Sequence, residues 1–261
     1  MLKTRIITAV IGVPLLLAIL YLGGLAWSAL FVLLAVVALY EYLAMMQQNG
    51  QSPQYLPAFM LLFLLLFQTQ TGPCFTPLLM AVIMLIVLEG VFFYPQFTLA
   101  DTAQSFLGAF YIGFLLHFAL LIQDLPKPFL TILLIFLVTW GSDIGGYVFG
   151  RLWGKRKMTP LLSPNKTWAG AMGGVLMATL AAVGFEYFVP LAGFSLGKMI
   201  FLAAIASVAA QLGDLFESAM KRSFGVKDSG WIIPGHGGVL DRFDSFMLVL
   251  PVFYYFLSLA C

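Results

Sequence analysis

Charge is what this sequence has least of. Asp, Glu, Lys and Arg make up 9% of its 261 residues, against roughly 25% in a soluble domain. That scarcity, with 62% apolar residues, excludes a water-soluble globule. Cysteine is equally sparse: Cys74 and Cys261 stand far apart without metal-ligand spacing, which excludes a zinc ribbon or a disulfide framework. Only two histidines are present, and there is no low-complexity tract, internal repeat or polar stretch long enough for a soluble domain.

What fills the chain is apolar runs long enough to cross a hydrocarbon core of roughly 30 Å as helices. The runs are continuous rather than alternating, which argues against a membrane β-barrel. The first, Ile6–Leu22, is too long for a signal-peptide core and has no small-residue cleavage site after it, so it reads as a membrane helix. Nine runs are predicted, at 6–22, 25–46, 55–70, 76–94, 104–122, 128–149, 168–189, 198–218 and 244–260. Turn residues such as Gly23-Gly24, Asn49-Gly50 and Thr71-Gly72-Pro73 separate them. The expected fold class is therefore all-α, a polytopic integral membrane protein of about nine transmembrane helices.

Nine crossings put eleven of the thirteen basic residues on one side, with Lys127 and Lys198 on the other. Positive charge marks the cytoplasmic side, so the N-terminus and the basic loops are expected there, in a membrane such as a bacterial inner membrane. Both cysteines would then face outward. Residues 1–127 read as scaffold and lipid-facing wall, and 128–261 as the part that carries the polar chemistry.

Carboxylates inside these runs need a reason, because each costs about 2.5–3.5 kcal/mol at a helix centre on insertion scales. Asp143 lies toward the cytoplasmic end of the sixth run. Asp214 and Glu217 share a face of the eighth at i,i+3, and Asp241 and Asp244 open the ninth with the same spacing. Five acids at one depth, ringed by Lys and Arg, suggest divalent cations holding a polyphosphate, since hard cations take oxygen ligands. The alternative is a set of structural ion pairs at helix ends. Glu41 and Glu89 read as snorkelling or interhelical hydrogen-bonding groups, Glu186 has no assigned role, and His117 reads as a satisfied core histidine.

Two polar segments stand out. Ser218–Asp244 holds seven of the 24 charged residues and the run Pro234-Gly235-His236-Gly237-Gly238, whose glycines would let backbone N–H groups approach an anion. Ser142–Gly170 holds Lys155, Arg156 and Lys157, then a turn Ser163-Pro164-Asn165-Lys166-Thr167 in which Thr167 or Ser163 is placed to cap the seventh helix. A glycine turn without a ligand, and a basic loop that only sets topology, are the plainer readings of these segments.

The first segment resembles the signature of the phosphatidate cytidylyltransferases. Ser218, Met220, Lys221, Arg222, Lys227, Asp228, Gly230, Ile233, Pro234, His236, Gly237, Gly238, Val239, Asp241, Arg242, Phe243 and Asp244 fill every specified position. The second is similar with departures: Asp143-Ile144-Gly145-Gly146-Tyr147 stands where the family often has DTGAY. Asn165 and Ala169 stand where it often has lysine and glutamate. The resemblance extends to length and helix content.

It implies transfer of CMP from CTP to phosphatidate, giving CDP-diacylglycerol and pyrophosphate, for phospholipid synthesis. It also implies Mg²⁺, as one ion or two, with a monovalent cation left open. By the same analogy Asp214 and Asp241 are the metal ligands. Lys221, Arg222 and Lys227 meet phosphates, His236 orients a phosphate or metal-bound water, and Gly237 and Gly238 allow close backbone approach. Asp228, Arg242 and Asp244 orient ligands, while Asp143, Ser163, Asn165 and Lys166 form a facing wall. Family analogy suggests a homodimer; membrane lipid is a partner and nucleic acid is not. A transporter of a phosphorylated or nucleotide-linked solute is the alternative, but it predicts ionisable residues spread along a path, whereas these cluster on one face. A phosphotransferase consuming CDP-diacylglycerol would need an aspartate array that this chain lacks.

Overall fold

In a computed structural model, residues 2–191, 194–233, 235 and 237–260 are described. The chain is an all-α polytopic membrane protein. Its helices are α1 (Leu2–Leu22), α2 (Gly24–Gln48), α3 (Tyr55–Leu66), the single turn α4 (Gln68–Thr71), α5 (Phe75–Phe92), α6 (Leu99–Ile122), α7 (Pro128–Trp153), α8 (Trp168–Phe188), α9 (Leu196–Ser223) and α10 (Leu240–Ala260). One antiparallel hairpin, β1 (Lys157–Thr159) and β2 (Ser163–Thr167), separates α7 from α8.

Among the described residues, seven helical segments are long and apolar enough to cross a membrane, and two shorter apolar helices, Val10–Leu22 and Tyr55–Leu66, accompany them. The predicted third run is broken: α3 stops at Leu66, and Phe67 turns the chain into α4 before a 3₁₀ turn at Gly72–Cys74. Continuous apolar character does not by itself sustain a helix through Gln68-Thr69-Gln70-Thr71-Gly72-Pro73, where side-chain hydrogen bonds and Pro73 compete with the backbone ladder. The predicted Ser163–Thr167 turn is instead a strand of the hairpin.

The chain divides into two compact units, 1–120 with 223–242 and 121–222 with 243–261. In the first, the core is built on α2, whose Trp27, Phe31, Leu39, Tyr42 and Leu43 are all but inaccessible. Two of these pay for their polar atoms with hydrogen bonds: Trp27 Nε1 donates to the Ala119 carbonyl at 2.8 Å and Tyr42 Oη to the Gln104 carbonyl at 3.2 Å. His117 is buried, and its Nδ1 donates to the Leu66 carbonyl at 2.8 Å, since a carbonyl can only accept. It is the satisfied core histidine expected from the sequence. By contrast α5 buries only Val82 and Ile86, so it presents an apolar surface all round, as a lipid-facing helix does.

The second unit rests on close contact between α7 and α8. Gly141 and Gly145 of α7 face the backbone of α8 at Ala178 and Gly173, and the Phe149 ring lies over Gly173. Small residues let helix backbones approach within lipid, where packing and hydrogen bonds replace the hydrophobic drive. Ser142 and Ser207 share a 2.7 Å hydrogen bond, and Gln211 Nε2 donates to the Ala171 carbonyl at 3.1 Å, tying α9 to α7 and α8. Phe136 and Phe246 stack at 4.7 Å and join α10 to the same core.

A side chain at Gly173 has to displace the Phe149 ring, and overpacking of this kind costs about 1–3 kcal/mol. Gly173→Leu should therefore lower the unfolding midpoint of the purified protein in detergent. Gly184→Ala, at a helical position with open space around it, should leave that midpoint unchanged or raise it.

Candidate active site

In the first unit the site grows from the loop between α9 and α10. Helix α9 ends where Gly225 takes a left-handed φ of 69°, the usual way a helix is terminated by glycine. Phe224 then packs edge-on against Tyr42 at 5.4 Å, which fixes the start of the loop on α2. Lys227 and Asp228 follow, both exposed. The Ile233 N–H donates to the Gly237 carbonyl at 2.9 Å, and Gly235 and Gly237 have φ of 77° and 91°. Pro234 and His236 lie outside the described residues.

Two carboxylates hold this loop. Glu41, 2% exposed, comes from the C-terminal third of α2. Its Oε1 accepts the Val239 N–H at 3.0 Å, and its Oε2 accepts the Leu240 N–H at 2.9 Å and faces Ser229 Oγ at 3.3 Å. Val239 and Leu240 begin α10, so a buried carboxyl group from a distant helix satisfies donors that a helix start leaves unpaired. Asp241 Oδ2 accepts the Ser229 N–H at 2.8 Å, Ser229 Oγ at 2.9 Å and the Gly238 N–H at 2.9 Å. Ser229 has one hydroxyl proton for two acids, and the shorter distance directs it to Asp241.

The glycines are required by these acids. A Cβ at Gly230 or Gly238 would stand 2.6 or 2.5 Å from a Glu41 oxygen, and one at Gly237 2.8 Å from Asp241 Oδ2. Close backbone approach, expected toward a ligand, is seen here toward two carboxylates of the protein itself. Glu41 and Ser229 were absent from the site residues expected from sequence. The signal for Glu41 was its cost inside an apolar run, which pointed to an interhelical hydrogen bond without naming the partner.

In the second unit, Lys166 Nζ meets Asp214 Oδ2 at 2.6 Å, and Lys221 Nζ meets Glu217 Oε2 at 2.5 Å one turn further along α9. Ser218 Oγ stands 3.5 Å from Asp214 Oδ1. Asp244 lies within electrostatic reach of Asp214, Asp143 and Lys221. Gly213 permits this: a Cβ there would be 2.5 Å from the Asp244 carbonyl oxygen, so α9 and α10 touch next to the two aspartates. Lys166 is aimed by the hairpin, because β2 ends at Thr167, whose Oγ1 accepts the Gly170 N–H at 3.1 Å and caps α8 as expected. Asn165 and Asp143 are exposed and Ser163 half-buried. Arg222 and Arg242 are exposed at the end of α9 and the start of α10.

Asp143, Asp214 and Asp244, from three helices, supply hard oxygen of the kind that suits Mg²⁺. Among the described residues no three His, Cys, Asp or Glu side chains form a ready-made cage. Asp241 commits its Oδ2 to the loop of the first unit.

A family model described as "Cytidylyltransferase family" matches residues 3–260. The chain belongs to the cytidylyltransferase family. Relatives include the phosphatidate cytidylyltransferases of Staphylococcus epidermidis, 37% identical over 254 residues, Staphylococcus saprophyticus, 39% over 255, and Staphylococcus aureus, 37% over 256. Each alignment covers 96% of both chains. Every charged residue discussed above therefore falls within the cytidylyltransferase match.

Removing the Glu41 carboxylate strands the Val239 and Leu240 N–H groups in a buried place, at about 1–3 kcal/mol per unsatisfied group. Glu41→Ala should destabilise the protein by about 2–4 kcal/mol in detergent unfolding. Glu41→Gln, which keeps one carbonyl acceptor, should recover a substantial part of that loss.

Proposed function

We propose that this protein transfers CMP from CTP to phosphatidate, forming CDP-diacylglycerol and releasing pyrophosphate. Its full-length similarity to phosphatidate cytidylyltransferases supports the substrates. The observation that carries the chemistry is the charge set of the second unit: Lys166 on Asp214, with Asp143, Asp244 and Lys221 around it. Such a set suits a reaction between two anions better than one that needs a strong base.

In that reaction a phosphatidate phosphate oxygen attacks the α-phosphorus of CTP, and the bond from that phosphorus to the bridging oxygen of the β-phosphate breaks. The attacking monoester is already largely ionised at neutral pH, since the second pKa of such phosphates is about 6. What remains is to position two polyanions and to stabilise the negative charge that collects on the departing pyrophosphate. Lys166 and Lys221 are held by carboxylates in ion pairs, so each ammonium is oriented before a phosphate arrives. Arg222, Lys227 and Arg242 are exposed at the loop's margins, where they can draw in the triphosphate or the lipid headgroup. Glu41 and Asp241 keep the Gly237–Gly238 backbone in place. By the family resemblance Asp228 and His236 orient ligands, and Ser163 and Asn165, on the hairpin that carries Lys166, belong to the substrate-binding set.

Bound Mg²⁺ would offset phosphate charge and act as a Lewis acid; Asp214, with Asp143 and Asp244 beside it, would hold it, and the family resemblance adds Asp241 to the ligands. The excess of basic residues in these loops supports a cytoplasmic location for this machinery, where CTP is available and the headgroup of a membrane lipid can reach it. A bacterial inner membrane and a homodimer complete the reading. No observation favours the solute-transporter alternative.

Purified protein supplied with labelled CTP, phosphatidate and Mg²⁺ should form lipid-linked CMP and pyrophosphate in equal amounts, and EDTA should stop it. Asp214→Asn and Asp241→Asn should each lower the rate on the order of 10²-fold or more. A folded protein that makes no lipid-linked CMP would overturn the assignment. Full activity in both variants would keep the reaction and remove the two carboxylates from it.

A further inference from the structure

Lys155, Arg156 and Lys157 have no part in the mechanism above, yet they sit in a built and unusual place. The hairpin β1–β2 pairs Lys157 with Thr167 and Thr159 with Ser163. It turns through Pro160 and Leu161, where the Leu162 N–H donates to the Thr159 carbonyl at 3.2 Å. Proline suits the second position of such a turn, and the third normally takes a small polar residue or glycine. Here the third position is Leu161, 100% exposed. Leu152 (64%), Trp153 (60%) and Trp168 (52%) are exposed around the hairpin's base.

The charge around this apolar surface has one sign. From residue 144 to residue 185 the sequence contains Arg151, Lys155, Arg156, Lys157 and Lys166 and not one Asp or Glu. Lys166 is paired with Asp214 and Arg151 donates to Tyr147 Oη at 2.9 Å. Lys155, Arg156 and Lys157 are exposed and no carboxylate of the described residues pairs with them. The hairpin is also rigidly based: Thr167 caps α8, and a Cβ at Gly154 would stand 2.6 Å from Thr167 Oγ1. Since α7 and α8 are both long and apolar enough to cross a membrane, their short connector has to lie at the bilayer boundary.

An exposed leucine, two tryptophans and three unpaired cations at that boundary match one partner. Leucine and tryptophan enter the zone between headgroups and acyl chains, while basic side chains stay with anionic headgroups. We propose that the hairpin seats on anionic phospholipids of its own membrane, with Leu161 inserted beneath the headgroups and Lys155, Arg156 and Lys157 holding their phosphates. On the function proposed above, this gathers the anionic lipid substrate beside Lys166, which the same hairpin carries.

The test uses the full chain with Cys74→Ser, Cys261→Ser and Leu161→Cys, labelled at position 161 with a polarity-sensitive dye. The protein is reconstituted in nanodiscs of phosphatidylcholine alone or mixed with phosphatidylglycerol. Emission should shift to the blue as phosphatidylglycerol is added. The shift should shrink in about 1 M salt, where the screening length falls to roughly 3 Å, and vanish with Lys155→Gln, Arg156→Gln and Lys157→Gln combined. In an otherwise unlabelled chain that triple variant should raise the apparent KM for phosphatidate on the order of tenfold, with kcat and the KM for CTP unchanged. A dye indifferent to phosphatidylglycerol overturns the proposal, as does a triple variant whose defect lies in the KM for CTP. A lipid-dependent shift in a protein without cytidylyltransferase activity would uphold the seating and overturn only the function on which its second role rests.

Discussion

A carboxyl group within an apolar helix is tolerated only where the protein supplies the hydrogen-bond partners that water would have given it. Glu41 is the clearest case in this chain. Its two oxygens take the first N–H groups of α10, 198 and 199 residues away in sequence. The bond set works in both directions, since the acid is solvated and the start of α10 is capped. Around it the glycines at 230 and 238 become necessary, because a side chain at either would collide with the acid. Asp241 closes the same loop from the other side through Ser229 and Gly238. The N–H groups of Gly238, Val239 and Leu240 are thereby already allotted, and Lys227 and Asp228 lie exposed in the same loop.

The second unit solves a related problem with ion pairs. The Lys166–Asp214 pair is partly exposed, 21% and 36% at its side chains, and such pairs are worth about 0–1 kcal/mol. The more buried Lys221–Glu217 pair adds little net stability, although removing one partner of a buried pair costs about 3–5 kcal/mol. Lys166–Asp214 and Lys221–Glu217 are therefore better understood as orienting devices than as stabilisers. They orient two ammonium groups beside the aspartates Asp143, Asp214 and Asp244. Glycine packing makes this arrangement possible, through Gly213 at the α9–α10 contact and through the α7–α8 glycines that carry Asp143 and the hairpin.

Much of this was legible in the sequence because charge is so rare in it. The all-α membrane class followed from uninterrupted apolar runs, and the Ser218–Asp244 segment stood out for its carboxylates, cations and glycines together. Thr167 as the cap of α8 followed from a polar residue before an apolar helical run. The missed features are long-range or local-competition effects. Glu41 could be identified as anomalous, but its partners depend on which loop the fold returns to α2. The glycines were assigned to ligand approach, while their immediate neighbours are Glu41 and Asp241. The third predicted helix breaks near Phe67, and Ser163–Thr167 forms a strand, because short polar segments take their structure from what they pair with.

Amide hydrogen exchange at Gly238, Val239 and Leu240 tests the anchoring of the loop most directly. These N–H groups lie at a loop and a helix start, where exchange is ordinarily fast. The account requires them to be protected in the intact protein. In Glu41→Gln the protection at Val239 and Leu240 should fall while Gly238, held by Asp241, stays slow. Fast exchange at all three in the intact protein, or protection that is indifferent to Glu41, would contradict the claim that this buried carboxylate organises the site.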